Sequence, residues 1–166
     1  MFDPRYARAR RVLLDALQAL GEHAERVVLI GAQAVYLHTG DVELAIAPFT
    51  QDADLAIDPR GLSSDPRIEA CMTGAGFGYG SDRQPGRWFG ADGVEVDLMV
   101  PERLAGSGSR SAEIPPHDKF AARRAAGIEA AIVDNDWHEL RAFDPADARV
   151  LRARRQASGA TRCQDH

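Results

Sequence analysis

Apolar and polar positions alternate in two stretches of the chain and follow helical spacing in others. Across residues 49–57, Ala53, Leu55 and Ile57 fall on one face of a strand and Asp52, Asp54 and Ala56 on the other, because successive strand side chains point to opposite sides. Across residues 94–100, Val94, Val96, Leu98 and Val100 form an apolar face and leave Glu95, Asp97 and Met99 opposite. Residues 26–30 read as a buried strand, and residues 31–38 open on Gly31 and continue with helical composition.

Helical spacing marks the N-terminal part. Asp3-Pro4 is a good helix start, and Tyr6, Leu13, Leu14, Leu17 and Leu20 form a stripe that stops near Gly21. Ser64-Asp65-Pro66 opens a second helix through Ile68, Cys71 and Met72 to Gly74. Residues 87–90 and 94–100, joined by Ala91-Asp92-Gly93, predict a β-hairpin with Asp97 on the returning strand, since Asp-Gly favours a tight turn. Residues 104–111 read as a flexible loop, residues 119–126 as a short helix stopped by Gly127, and residues 128–133 as a further strand or buried segment. Arg123 and Arg124 then read as a solvated helix face, Lys119 as a solvated helix start, and His38, His117 and His138 as surface or cap residues.

If the two acid-bearing strands are neighbours, Asp52, Asp54 and Asp97 converge. Three adjacent carboxylates raise one another's pKa unless a cation neutralises them, and an all-oxygen donor set suits Mg²⁺ or Mn²⁺ rather than zinc. A strand that runs into Gly31 and then a helix start offers backbone N–H groups to a phosphate. Together these features point to divalent-metal phosphoryl or nucleotidyl transfer. Competing chemistries lack their motifs: the glycines at 74, 76, 78 and 80 do not complete GxGxxG, no P-loop occurs, and Gly106-Ser107-Gly108 lacks the flanks of a nucleophile elbow. Cys71 and Cys163 form no CxxC, which argues against a zinc site or disulfide framework.

The pieces Leu29-Ile30-Gly31-Ala32, Thr50-Gln51-Asp52-Ala53-Asp54-Leu55 and Val96-Asp97-Leu98 resemble the DNA polymerase β-type nucleotidyltransferase superfamily, and within it most resemble the AbiEii-like proteins of abortive-infection and toxin–antitoxin systems. The resemblance spans roughly residues 25–150. It implies an α/β (α+β) fold with a mixed sheet and helices largely on one face. It assigns Asp52, Asp54 and Asp97 to catalysis and to Mg²⁺, with Mn²⁺ as the substitute, and Gly31, Ala32 and Thr50 to the nucleotide. The implied reaction moves NMP from an NTP to a hydroxyl of RNA, protein or a small molecule, and the implied partner is a cognate antitoxin or other protein. Ala32 stands where the family has Gly or Ser, so only its backbone N–H faces the phosphate; the stretch from Gly31 to Asp52 is long, and Pro48 replaces an Arg of many relatives. These departures leave an alternative, a catalytically degenerate nucleotide-binding or protein-interaction module.

Composition bounds the rest. With 166 residues, 45% of them hydrophobic, the chain can bury one substantial core, which favours a single domain over residues 1–150. A net charge of −5 disfavours tight sequence-independent binding to long nucleic acid, while a local basic patch still suffices for an RNA end. No apolar run approaches a membrane span and no signal-peptide core follows Met1, so a cytoplasmic protein with no membrane partner is expected. Residues 151–166, with almost no large apolar side chain after Leu151, are expected to form a disordered tail, and the family comparison then implies a cleft open on one side.

Overall fold

A computed structural model describes residues 4–31 and 52–157. Helix α1 (Pro4–Leu20) is followed by a 3₁₀ segment (Gly21–Arg26) and strand β1 (Val27–Ile30). Then come β2 (Ala53–Ile57), α2 (Ile68–Gly74), β3 (Gly78–Tyr79), β4 (Arg87–Phe89), β5 (Glu95–Pro101), β6 (Arg123–Ala125), α3 (Glu129–Val133), β7 (Asn135–Arg141) and β8 (Val150–Gln156). The strands form one mixed sheet of eight, in the order β3-β4-β5-β2-β1-β8-β7, with β6 also paired to β5. The fold is therefore α/β with a mixed, open sheet.

Register follows from which residues the core demands. Strand β2 lies antiparallel to β1, with Leu29 opposite Leu55 and Ile30 opposite Asp54, and parallel to β5, with Leu55 opposite Leu98 and Asp54 opposite Asp97. Alternation then sends Leu29, Leu55, Ile57, Val96 and Leu98 into one cluster with Val12, Leu13, Leu14 and Leu20 of α1 and Ile68 and Met72 of α2. The opposite face carries a smaller cluster of Val28, Ile30, Ala56, Met99, Ala125 and Ala131, the last from α3. Two of the three described helices thus back one face, and the carboxylates emerge on the other.

Helix α1 begins at Pro4, whose missing N–H costs nothing in the first turn. The β4–β5 hairpin turns through Asp92 (φ 59°) and Gly93 (φ 69°), the left-handed pair expected of Asp-Gly. Helix α2 is capped by a side chain far away in sequence: the Ile68 N–H donates to His117 Nδ1 at 3.0 Å, and the Nε2 of the same ring lies 3.0 Å from the Ser63 carbonyl. His117 is therefore a buried cap rather than a surface residue.

Several expectations are corrected. Residues 119–126 form turns and the short strand β6, not a helix, because Arg123, Arg124 and Ala125 pair with Met99, Val100 and Pro101. Residues 129–133 are helical rather than extended. The segment expected to begin a disordered tail contains β8, an internal strand paired in parallel with β1 and in antiparallel with β7. Its inward positions, Leu151 and Ala153, join the main core, and Arg155 is buried on the same side. Arg149 pins the entry to this strand: its Nη1 donates to Asp15 Oδ1 of α1 at 2.6 Å and its Nη2 to Asp147 Oδ2 at 2.6 Å. Residues 158–166, His38, Cys163 and the helix expected over residues 31–38 beyond Gly31 lie outside the described residues.

Because β8 fills the centre of the β1–β7 half of the sheet, ending the chain at Arg149 should abolish the cooperative thermal transition given by a chain ending at Ala157. Retention of that transition in the shorter chain, followed by circular dichroism, would show that the strand is dispensable.

Candidate functional site

The site is built on the sheet face that the two larger helices leave uncovered. Asp54 sits directly beside Asp97 on adjacent parallel strands, and neighbouring strands lie about 4.8 Å apart. Asp52 precedes β2 by one residue and shares the side of Asp54, two positions along. Glu95 and Arg87 join this face through β5 and β4, with Arg87 opposite Asp97 and Glu95 two residues before it. Arg123 lies opposite Met99 and so also shares the face.

Gly31 closes the other flank. It follows β1 with φ 72°, and a Cβ built on it would stand 2.5 Å from Asp54 Oδ2. Only glycine combines that left-handed backbone with so close an approach of a carboxylate. The sequence reading of Gly31 as the turn beside the aspartates therefore has a geometric counterpart, whereas Ala32 and Thr50 lie outside the described residues.

Electrostatics set the behaviour of these groups. Burial, followed by the charge of Glu95, raises Asp52 above the ordinary carboxylate range, against the pull of Arg87. Asp54 is raised by burial and then by Asp52, against Arg123. Asp97 is pushed up to about 7 by burial and then by Glu95, with Arg123 opposing and Asp54 and Asp52 adding. Arg87 is not free to relieve this, since its Nε donates to Glu95 Oε1 at 2.6 Å and its Nη2 to Glu95 Oε2 at 3.3 Å. Asp97 Oδ1 is buried and has no hydrogen-bond partner among the described residues. A buried acceptor left unpaired costs about 1–3 kcal/mol, which marks the position for an incoming donor or cation.

The residues fit a hard divalent cation in their chemistry. Their donors are all carboxylate oxygens, their mutual repulsion is the kind a dication removes, and Asp97 offers an unused lone pair. Among the described residues, however, no three His, Cys, Asp or Glu side chains are gathered closely enough to hold a metal ion as they stand. Repelling carboxylates keep apart, and only a counter-charge repays the work of drawing them together.

A cavity of about 430 Å³ opens on the far side of Asp97 from Gly31, lined by Arg87, Glu95, Asp97, Arg110, Arg123 and Arg124 among others. Reading the sequence as a helix at 119–126 turned Arg123 and Arg124 toward solvent. The usable signal was the β5 pattern itself, whose free edge beyond Asp97 needs a partner strand. Lys119 is exposed, as expected, and Cys71 is a free thiol. No described helix is long and apolar enough to cross a membrane. The chain has no significant match to a protein-family model, to a curated protein or to a solved structure.

The raised pKa of Asp97 has a definite sign. Its folded value lies above the unfolded value of about 3.9, so its contribution to stability is present below about pH 4 and lost as pH rises through about 7. In metal-free protein the melting temperature of Asp97→Asn relative to wild type should therefore climb between about pH 5 and 8. A difference that is flat or falls with pH would remove the electrostatic account. Gly31→Ala should cost about 1–2 kcal/mol from its backbone alone and turn Asp54 aside, so that millimolar Mg²⁺ stabilises it less than wild type in a thermal-shift assay. Equal stabilisation would detach Gly31 from the site.

Proposed function

We propose that this protein is a divalent-metal-dependent nucleotidyltransferase that moves NMP from an NTP to a hydroxyl acceptor. The observation that carries the reading is the in-register pairing of Asp54 with Asp97 on adjacent parallel strands, with Asp97 Oδ1 buried and unpartnered among the described residues. The resemblance of the three sequence pieces to polymerase β-type enzymes supports it independently.

On this reading Asp52, Asp54 and Asp97 hold Mg²⁺. When bound, the metal would neutralise phosphate charge and favour ionisation of the attacking hydroxyl. The chain's own residues do the positioning. Gly31 lets the Asp54 carboxylate close on the backbone at the end of β1, because no Cβ intrudes there. Asp97 accepts the proton of the acceptor hydroxyl through the Oδ1 that has no partner among the described residues. The acceptor oxygen then forms a bond to the α-phosphorus, the bond from that phosphorus to the bridging oxygen of the β-phosphate breaks, and pyrophosphate leaves with the electron pair. Alignment of the two reactants alone contributes on the order of 7–11 kcal/mol to such reactions.

One observation favours the alternative of a non-catalytic nucleotide-binding module: the described carboxylates are not gathered into a metal shell. The two readings separate in a single assay. Incubation with each of four α-³²P-labelled NTPs, Mg²⁺, total RNA and protein should yield label in an acceptor. Asp54→Asn and Asp97→Asn should each lower that transfer by at least about 100-fold, or roughly 2.7 kcal/mol, without loss of fold. Nucleotide binding with no transfer to any acceptor would establish the alternative, and transfer unaffected by either substitution would remove the site.

A further inference from the structure

We infer that the arginine-lined cavity beside Asp97 binds a phosphate group of the acceptor, so that the acceptor is a phosphate ester that also carries the free hydroxyl to be modified. The role as acceptor rests on the transfer reading; the anion site itself does not.

Four arginines and two acids line the cavity, and Arg87 is committed to Glu95 by its two hydrogen bonds. Arg110, Arg123 and Arg124 form no ion pair with a carboxylate among the described residues, whereas Arg87 does so with Glu95 and Asp82. Arg123, on the face of Asp97, and Arg110 therefore stand with the single remaining acid, Asp97, in the cavity lining, an excess of one positive charge when Asp97 is ionised, while Arg124, opposite Val100, turns its guanidinium to backbone carbonyls of residues 102–106. Arginine is the side chain whose planar fork best matches a phosphate, and the phosphate of a monoester would meet this positive excess.

Their mounting suits a fixed site. Arg124 is anchored by Nη1 to the Glu102 carbonyl at 3.2 Å and by Nη2 to the carbonyls of Ala105 and Gly106, while its buried Nε has no partner among the described residues. The Arg124 N–H donates to the Arg110 carbonyl at 2.8 Å, which ties the Arg110 loop to β6. Among the described residues Arg123 donates from Nη2 to Met99 Sδ at 2.9 Å, a weak acceptor that a phosphate oxygen would outcompete. Gly86 makes the assembly sterically feasible: a Cβ there would lie 2.4 Å from the Leu98 carbonyl and 2.7 Å from the Arg123 nitrogen.

Placement separates this seat from that of the NTP. Across the sheet the order is β4 and β6, then β5, β2 and β1, so Asp97 stands between the arginines and the Gly31–Asp54 flank. Asp97 lines the cavity and has an unused oxygen, so a hydroxyl on a ligand whose phosphate sits on the arginines can donate to it.

The probes are adenosine 5′-monophosphate, which carries both phosphate and hydroxyls, adenosine, inorganic phosphate, and a short single-stranded oligoribonucleotide with a free 3′-hydroxyl. Calorimetry on the full chain without metal should show the monophosphate binding at least about tenfold more tightly than adenosine. Arg110→Glu, an exposed position, and Arg123→Gln should each weaken it at least about tenfold, and Arg110→Lys less. Adding Mg²⁺ with a non-hydrolysable ATP analogue should leave monophosphate affinity within about threefold. Tighter binding of the oligoribonucleotide identifies a polynucleotide end as the acceptor, and equal binding a mononucleotide; inorganic phosphate binding as tightly as both removes the ester. Monophosphate binding indifferent to Arg110 and Arg123 in variants with native circular dichroism overturns the site. Competition by the ATP analogue overturns the acceptor role, because the arginines then seat the triphosphate. Failure of transfer with arginine-dependent monophosphate binding intact removes the transfer reading and leaves the anion site.

Discussion

The register between β2 and β5 is the constraint on which the molecule turns. A slip of one residue by either strand would carry its leucine, Leu55 or Leu98, out of the main core and drive its aspartate, Asp54 or Asp97, into it. Each displaced leucine forfeits about 1.5–3 kcal/mol of burial, and each inserted carboxylate adds a desolvation cost larger still. The hydrophobic face of these strands therefore fixes the position of the acids: the residues that stabilise the sheet are the same ones that bring the aspartates side by side.

A second consequence follows along the outer edge of β5. Its first half is paired by β4 and its second half by β6, with Gly86 at the seam, where its carbonyl accepts from the Leu98 N–H at 2.8 Å. This exchange of partners delivers one arginine opposite Asp97 and another opposite Met99, two residues further on. Arg87 then neutralises Glu95, which leaves Arg123 as the cation that lowers both Asp54 and Asp97. With Arg87 pulling on Asp52, these two guanidiniums still do not balance the three carboxylates, and all three remain raised.

The parts of this arrangement that were legible in the sequence are those governed by local alternation. Leu55 and Ile57 against Asp52 and Asp54, and Val96 and Leu98 against Asp97, declared both strands and the face on which the acids lie. Asp92-Gly93 declared the hairpin, and the leucines of α1 its buried stripe. What could not be read depends on partners distant in the chain. Strand β8 hides because its inward positions are Leu151, the small Ala153 and a buried Arg155, so its alternation carries little hydrophobic contrast. Strand β6 hides because three residues, two of them arginines, show no period, and only pairing with β5 makes them extended. Arg10 is likewise buried in α1 by distant partners, since its Nη1 reaches the Arg141 carbonyl at 2.8 Å and its guanidinium lies 4.1 Å from the centre of the Phe143 ring.

The two sides of the sheet divide the tasks of stability and chemistry. Behind the strands, α1 contributes Val12, Leu13, Leu14 and Leu20, each fully buried, and Trp88 of β4 is buried with its indole N–H donating to the Ala121 carbonyl at 2.9 Å. This packing holds β1, β2, β4 and β5 as one rigid plate. In front, the described cover is the small cluster beneath α3, and beside it stand acids held unfavourably charged and arginines without carboxylate partners. Those groups cost stability in isolation, and replacing them with small apolar residues would relieve the cost. A face that sustains such a penalty on a well-packed support has the character of a site built for charged ligands, because a cation on the acids and an anion on the arginines would each remove repulsion that the chain alone leaves uncompensated.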